Sequence, residues 1–310
     1  MLSSEEIATL VAALPLSFVV MQAGGSVYRR LRSSAVAQCV ARISAMIMAD
    51  EEPTDGEMRA LRSRYSAGVV LDSVLFVAEK IYGDRLNRLV LIIEVCALDY
   101  YLLGMIRRSR GLRRVRNLSK LSLLTNATMV VEYAEVYMEE SHRLSRFYAM
   151  AALVSARPNR AIRYIERFDE ALSLYEVAIL AQLMRRAGVA IAYTPMLVSQ
   201  NRNLQLVGIY LCEHFSITDA EPHLQLLAES DDREIAYMAL QAICAIRGDI
   251  STVEVGEALQ QFMPHQRTAF IMRAVQNCYS LRSCAHYLSP DEREIFLQRQ
   301  NSYKCRMVCN

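Results

Sequence analysis

The sequence predicts an all-α protein, a right-handed α-solenoid of about five or six helical pairs with further helices ahead of it. Three observations predict it. Gly and Pro, 11 and 7 residues, make up less than 6 per cent of the 310. Ordinary proteins carry roughly 12 per cent, so a many-turned β-sandwich and a low-complexity chain are both excluded. No stretch alternates apolar and polar residues between hairpin turns, as half-buried strands require. Apolar residues instead recur at intervals of three and four, and whole helical segments recur at about thirty.

The first element is Ile7 to Tyr28, 22 positions without a charge, followed by Arg29, Arg30 and Arg32 and preceded by Glu5 and Glu6. At 1.5 Å per residue it is long enough to cross a hydrocarbon core of about 30 Å. The basic flank then sets the rest of the chain on the cytoplasmic side, and a signal peptide is disfavoured because its charges come first. Pro15, Gln22 and Gly24-Gly25 weaken the span, so two readings stay open: an N-terminal membrane anchor, and a buried helix or hairpin broken at Pro15 or Gly24.

Next come helices over residues 34–110. Val36, Val40, Ile43 and Ile47 mark one apolar stripe. The acidic break from Asp50 to Gly56 ends in a helix start, with Thr54 or Asp55 able to cap and Glu57 at the positive end of the dipole. Glu57–Tyr82 and Asp84–Arg108 read as two long helices separated by Gly83, the second apolar enough to be buried on more than one face.

From residue 111 to 290 the chain repeats. Four segments begin with Arg and continue into an apolar helix, at Arg143, Arg202, Arg233 and Arg267. Two more fit at Arg113 and Leu172, giving starts near 113, 143, 173, 202, 233 and 267, with spacings of 30, 30, 29, 31 and 34. Six positions after the Arg stands a small residue, Ala149, Gly208 or Ala239; the last segment has Arg273 there, followed by Ala274. Shorter second helices follow from Ala161, Ala192, Ala220 and Val253. A lone helix pair cannot cover its own apolar face, whereas stacked pairs share one core, and a small residue at a fixed position lets neighbouring helices approach. Asn201-Arg202-Asn203 and Asp231-Asp232-Arg233 supply caps for the helix starts.

At Asp231–Asp249 and Asn201–Leu211 the chain resembles the HEAT-repeat family of α-solenoids, in particular its short, degenerate bacterial members. The resemblance spans about 112–290 and departs from the pattern at Arg157-Pro158-Asn159 and at the 34-residue step after 233. It implies a non-enzymatic scaffold that presents a concave helical surface to a protein partner. Some members carry an N-terminal membrane helix, which implies an inner-membrane anchor with a cytoplasmic C-terminal domain; a wholly cytoplasmic chain is the alternative. The domain organisation expected is 1–33 for the possible anchor and its basic flank, 34–110 for capping helices, 111–290 for the repeats and 291–310 for a tail.

Charge narrows the partners. With 35 basic and 33 acidic residues the net charge is +2, which gives no whole-molecule attraction to nucleic acid. Only Lys80, Lys120 and Lys304 are lysines, so 32 of the 35 are arginines. Seven basic groups lie in 14 positions without an acid: Arg107, Arg108, Arg110, Arg113, Arg114, Arg116 and Lys120. This cluster either binds an anionic partner (an acidic protein, lipid head groups, a phosphate backbone) or pairs with Glu132, Glu135, Glu139 and Glu140 downstream. Nucleic acid is the weaker form, because no aromatics interleave with these residues. A soluble binder of nucleic acid or of an anionic surface is the alternative to the scaffold.

The sequence offers no catalytic constellation. His142, His214, His223, His265 and His286 are scattered, and no phosphate-binding glycine loop or nucleophile elbow occurs. Cys278, Cys284, His286, Cys305 and Cys309 gather near the C-terminus without a CxxC knuckle, a poor match to a closed zinc site. The eight cysteines read as free thiols, mostly in apolar helices, and the 16 tyrosines read as core residues with surface hydroxyls. No enzyme activity, cofactor, metal or small-molecule substrate is expected.

Overall fold

The computed structural model of the chain describes residues 33–49, 51–81, 85–124, 128–186, 192–247, 259–276 and 287–298. The protein is all-α, with no strand among the described residues. Its helices gather into two compact units, residues 1–158 with 186–188, and 159–185 with 189–310. The boundary at Pro158-Asn159 lies inside the stretch where the sequence repeats.

Unit 1 contains eight described helices: α1 (Ser33–Met48), α2 (Asp55–Arg64), α3 (Ala67–Ala78), α4 (Arg85–Val95), α5 (Leu98–Arg108), α6 (Gly111–Leu121), α7 (Thr128–Tyr137) and α8 (Arg143–Ala156). Cys39, Ile43 and Ile47, spaced four apart, form the buried stripe of α1. Thr54 caps α2 in a capping box. Its hydroxyl accepts from the Glu57 amide at 3.3 Å, and the Glu57 carboxylate accepts from the Thr54 amide at 2.9 Å.

Two helices expected to be continuous are broken. The stretch 57–82 is interrupted at Tyr65-Ser66, both in extended backbone. The buried Tyr65 ring draws the chain inward, and Ser66 starts a second helix whose surface is buried almost all round. The stretch 84–108 is interrupted at Ala97, which sits at φ 50°, ψ 40°. A left-handed alanine costs about 1–2 kcal/mol. Burial of Ile92, Cys96, Leu98 and Leu102 on both sides of the bend offsets that cost, and the Cys96 thiol donates to the Met58 carbonyl of α2. The two halves meet at 67°.

Unit 2 follows the expected segments closely: α9 (Ala161–Glu166), α10 (Leu174–Arg186), α11 (Tyr193–Leu197), α12 (Arg202–Phe215), α13 (Glu221–Ala228), α14 (Arg233–Arg247) and α15 (Pro264–Gln276). A further helix, α16, covers 290–298. Long helices alternate with short ones. Long α12 packs on long α14, short α11 on short α13, short α11 on α12 and short α13 on α14, while α9 touches α12, so most packing joins elements near in sequence. Of the second helix expected from Val253, residues 253–258 lie outside the described residues, and 259–261 are helical.

Polar side chains fix where these helices start. Ser173 and Glu176 form a capping box for α10. Asn201 accepts from the Leu204 amide at the start of α12. Asn203, only 5 per cent exposed, reaches back to the preceding loop. Its Oδ1 accepts from the Leu172 amide at 2.9 Å, and its Nδ2 donates to the carbonyls of Phe168 and Glu170 at 3.2 and 2.9 Å. Backbone groups turned away from water must find partners, and one asparagine meets three in the loop between α9 and α10.

The small residues at the sixth position are buried, as the spacing requires: Ala149 and Ala239 are fully enclosed. At Gly208 a Cβ would stand 2.9 Å from the Met196 Cβ and 3.1 Å from a Leu197 methyl of α11. Where the repeat departs, Arg273 of α15 reaches across α14. It donates to Gln241 at 2.7 Å and ion-pairs with the buried Glu213 of α12, while Gln241 in turn donates to the Tyr237 hydroxyl. The last described helix is tied on by Arg267, which holds both Glu292 oxygens at 2.8 and 2.7 Å and the carbonyls of Leu259 and Tyr287 at 2.9 and 3.0 Å. The four described cysteines, 39, 96, 212 and 244, are buried and form no disulfide, and burial pushes the Cys212 thiol up to about 12.

Gly208→Ala is expected to destabilise the protein by about 1–3 kcal/mol in urea unfolding, because the overlap outweighs the gain in helix propensity. Little loss would mean that α11 yields freely. A second expectation concerns acid. The Arg267 hydrogen bonds lower the Glu292 carboxyl from 4.5 to about 2 against the opposing effect of burial, aided by the Ser289 amide. A carboxyl depressed in the folded state stabilises above its unfolded value, and that contribution is lost as pH falls from about 4.5 towards 2. Glu292→Gln should therefore lower stability at pH 7 by roughly 1–2 kcal/mol and flatten the acid limb of the unfolding profile. An unchanged acid limb would rule this brace out.

Candidate anion-binding surface

The basic cluster of the sequence falls on the end of α5, the two-residue turn after it, and α6. The turn is built from the inside. Ser109, buried, donates its hydroxyl to the Ile106 carbonyl at 3.0 Å and accepts from Asn117 Nδ2 at 3.3 Å. Its own carbonyl accepts from Arg114 Nε at 2.9 Å. Gly111 opens α6 at φ +54°, a backbone that a Cβ would strain. Arg110, in extended backbone, and Arg113, in the first turn, are thus held on a fixed corner.

One face of α6 is core: Val115, Leu118 and Leu121 are buried. The opposite face carries Leu112, Arg113 and Arg116. The first turn holds no acid and no side-chain cap. Helix starts ordinarily attract acids, because the dipole is positive there. Here Arg113 and Arg114 add their charge to that positive end.

The cluster divides into occupied and unoccupied cations. Arg114 ion-pairs with Glu140 and lies over the Tyr137 ring, 5.7 Å from its centroid. Lys120 pairs with Asp72 of α3 at 3.1 Å. Arg107 is exposed and stacks over the Tyr133 ring at 4.7 Å. Arg108, Arg110, Arg113 and Arg116 are exposed, and no ion pair joins them to a described acid. Of the four downstream acids expected as partners, Glu140 is seen to reach the cluster.

Three features were not visible from residue types alone. Tyr133 and Tyr137 serve as platforms for arginines, and burial raises the Tyr137 phenol. Asp72, 48 residues away in sequence, holds Lys120. Leu112 is 76 per cent exposed among the arginines. The one local signal for the first is Tyr133 and Tyr137 four apart, which puts both rings on one face of α7.

Among the described residues no three His, Cys, Asp or Glu side chains gather as metal ligands. The Cys278, Cys284, His286, Cys305 and Cys309 set lies outside the described residues, as does the uncharged segment 7–28. No described helix is by itself long and apolar enough to cross a membrane; the bent pair α4 and α5 meets that length and composition only when taken together. No family model, curated protein or solved structure matches the chain.

Glu140→Gln is expected to release Arg114 and raise the salt concentration at which the protein elutes from immobilised heparin. Glu52→Gln, which removes an exposed acid elsewhere, is the control and should shift elution less. Equal shifts would show that elution follows net charge and not this surface.

Proposed function

We propose that the chain is a non-enzymatic binding scaffold, a HEAT-like array of helical pairs that docks a negatively charged partner surface through α5 and α6. The observation that carries the reading is the set of four exposed arginines, Arg108, Arg110, Arg113 and Arg116, on a rigid corner and paired with no described acid. Arginine cations within a few residues of one another create a local potential that the near-neutral whole molecule does not have. The sequential packing of long and short helices in unit 2 supports the solenoid, and the ties through Asn203, Arg202 and Arg273 give it the stiffness a scaffold needs. The apolar segment 7–28 with its basic flank supports a place at the cytoplasmic face of a membrane. A protein partner for the helical array follows from the family resemblance.

Heparin, a sequence-blind polyanion, tests this directly. Arg113→Glu with Arg116→Glu should abolish retention at physiological salt, and the wild-type affinity should fall steeply with ionic strength. Arg59→Glu, an exposed arginine paired with Asp55 at 3.5 Å, should leave retention nearly unchanged. Equal retention of the wild type and the double variant would reject the surface.

A further inference from the structure

We infer that the α5–α6 corner docks on the phosphate-bearing surface of an anionic lipid bilayer, with Leu112 entering the head-group layer between arginines that bind lipid phosphates. This rests on the anion-docking reading above and names its partner.

The argument begins with Leu112. A leucine left 76 per cent exposed is unremarkable by itself. Its setting is what matters. On α6, Arg116 stands one turn away at i+4, Arg113 adjoins it, and Arg110 precedes the helix. Helical geometry places 112, 113 and 116 on one side, opposite the buried 115, 118 and 121. The apolar side chain therefore projects on the same face as two cations, Arg113 and Arg116, with Arg110 just ahead of the helix start.

Three kinds of partner compete for such a corner. A nucleic acid would satisfy the arginines but has no use for the leucine, which does not stack on bases as an aromatic would. An acidic protein would need a packed, water-excluding surround for the leucine, and a ring of desolvated like charges opposes that. A bilayer surface accepts both at once. Head-group phosphates take bidentate contacts from arginine, while acyl chains a few ångströms deeper take the leucine. Arginine stems reach along that boundary with the charge kept in the polar layer. Complementarity of charge and of depth thus selects lipid.

The chain contains no Trp, so Leu112→Trp in the full chain installs a single reporter at the point of contact. Three preparations are compared: no vesicles, phosphatidylcholine vesicles, and vesicles containing about 30 per cent phosphatidylglycerol. With the anionic vesicles alone, the emission should shift to the blue and be quenched by brominated acyl chains. Each basic residue near an anionic surface contributes about five-fold in partitioning. Adding Arg113→Glu and Arg116→Glu should therefore raise the lipid concentration at half-change by about 25-fold or more, and high salt should do the same. An emission that stays that of a water-exposed indole on anionic vesicles overturns the proposal, as does an equal shift on neutral ones. Because the reporter sits at the corner, insertion of another segment does not mimic the signal. If heparin still binds the wild type while Leu112→Trp ignores anionic vesicles, the docking surface stands and its lipid partner falls. If heparin binding is also absent, the docking reading fails with it.

Discussion

Asp232 accepts from the amides of Glu234 and Ile235 and, through its other oxygen, from Arg202 at 2.7 Å, so one carboxylate both starts α14 and fixes where α12 lies against it. Arg202 is the first residue of α12 and also pairs with Glu234. Apolar stripes on stacked helices are tolerant of sliding, since hydrophobic burial is non-directional. A directional contact at each helix start removes that freedom. Burial disfavours the Asp232 charge, yet the Arg202 and amide hydrogen bonds outweigh it and hold the carboxyl below its ordinary value. Once the starts are in register, the small residue six positions on falls opposite its neighbour. At Gly208 an added Cβ would then press on Met196 and Leu197 of α11.

The same logic explains which parts of the fold were legible in the sequence. Helix starts are marked by side chains that do local work: Thr54 with Glu57, Ser173 with Glu176, Asn201, and Asp232. They can be read from residue type and short spacing. The breaks at Tyr65-Ser66 and Ala97 carry no such mark, because burial of distant side chains drives them and no glycine or proline sits at the bend. Arg273 was visible only as an exception to the small-residue rule. Its reason, a carboxylate 60 positions earlier on α12, belongs to the packing. In the basic cluster the residues themselves were legible, but their division was not. Whether an arginine is occupied depends on which acid the tertiary fold brings to it, and Asp72 and Glu140 come from separate elements.

The predominance of arginine over lysine follows from these tasks. Arg267 meets a bidentate carboxylate and two backbone carbonyls together. Arg202 joins two acids, and Arg273 spans an amide and a carboxylate on different helices. Arg107 and Arg114 lie over tyrosine rings. Each task uses the planar fork or the flat face of a guanidinium, neither of which an ammonium offers. Where lysine does appear in a described ion pair, at Lys120, it meets a single carboxylate.

An arginine-rich helical protein faces a sorting problem, because the side chain that ties helices together also binds foreign anions. The chain solves it by where it places acids. Arg114 ends on Glu140, Arg202 on Asp232 and Glu234, Arg267 on Glu292 and Arg273 on Glu213, and Arg247 likewise meets Glu221, each acid from another part of the chain. From Arg107 to Lys120 the sequence withholds acids altogether, and the first turn of α6 adds the positive end of the helix dipole to what remains. Leaving cations together in this way costs stability through mutual repulsion, and no described intramolecular contact of Arg108, Arg110, Arg113 or Arg116 offsets it. In the docking reading proposed above, a partner that supplies the missing negative charge recovers that cost on binding.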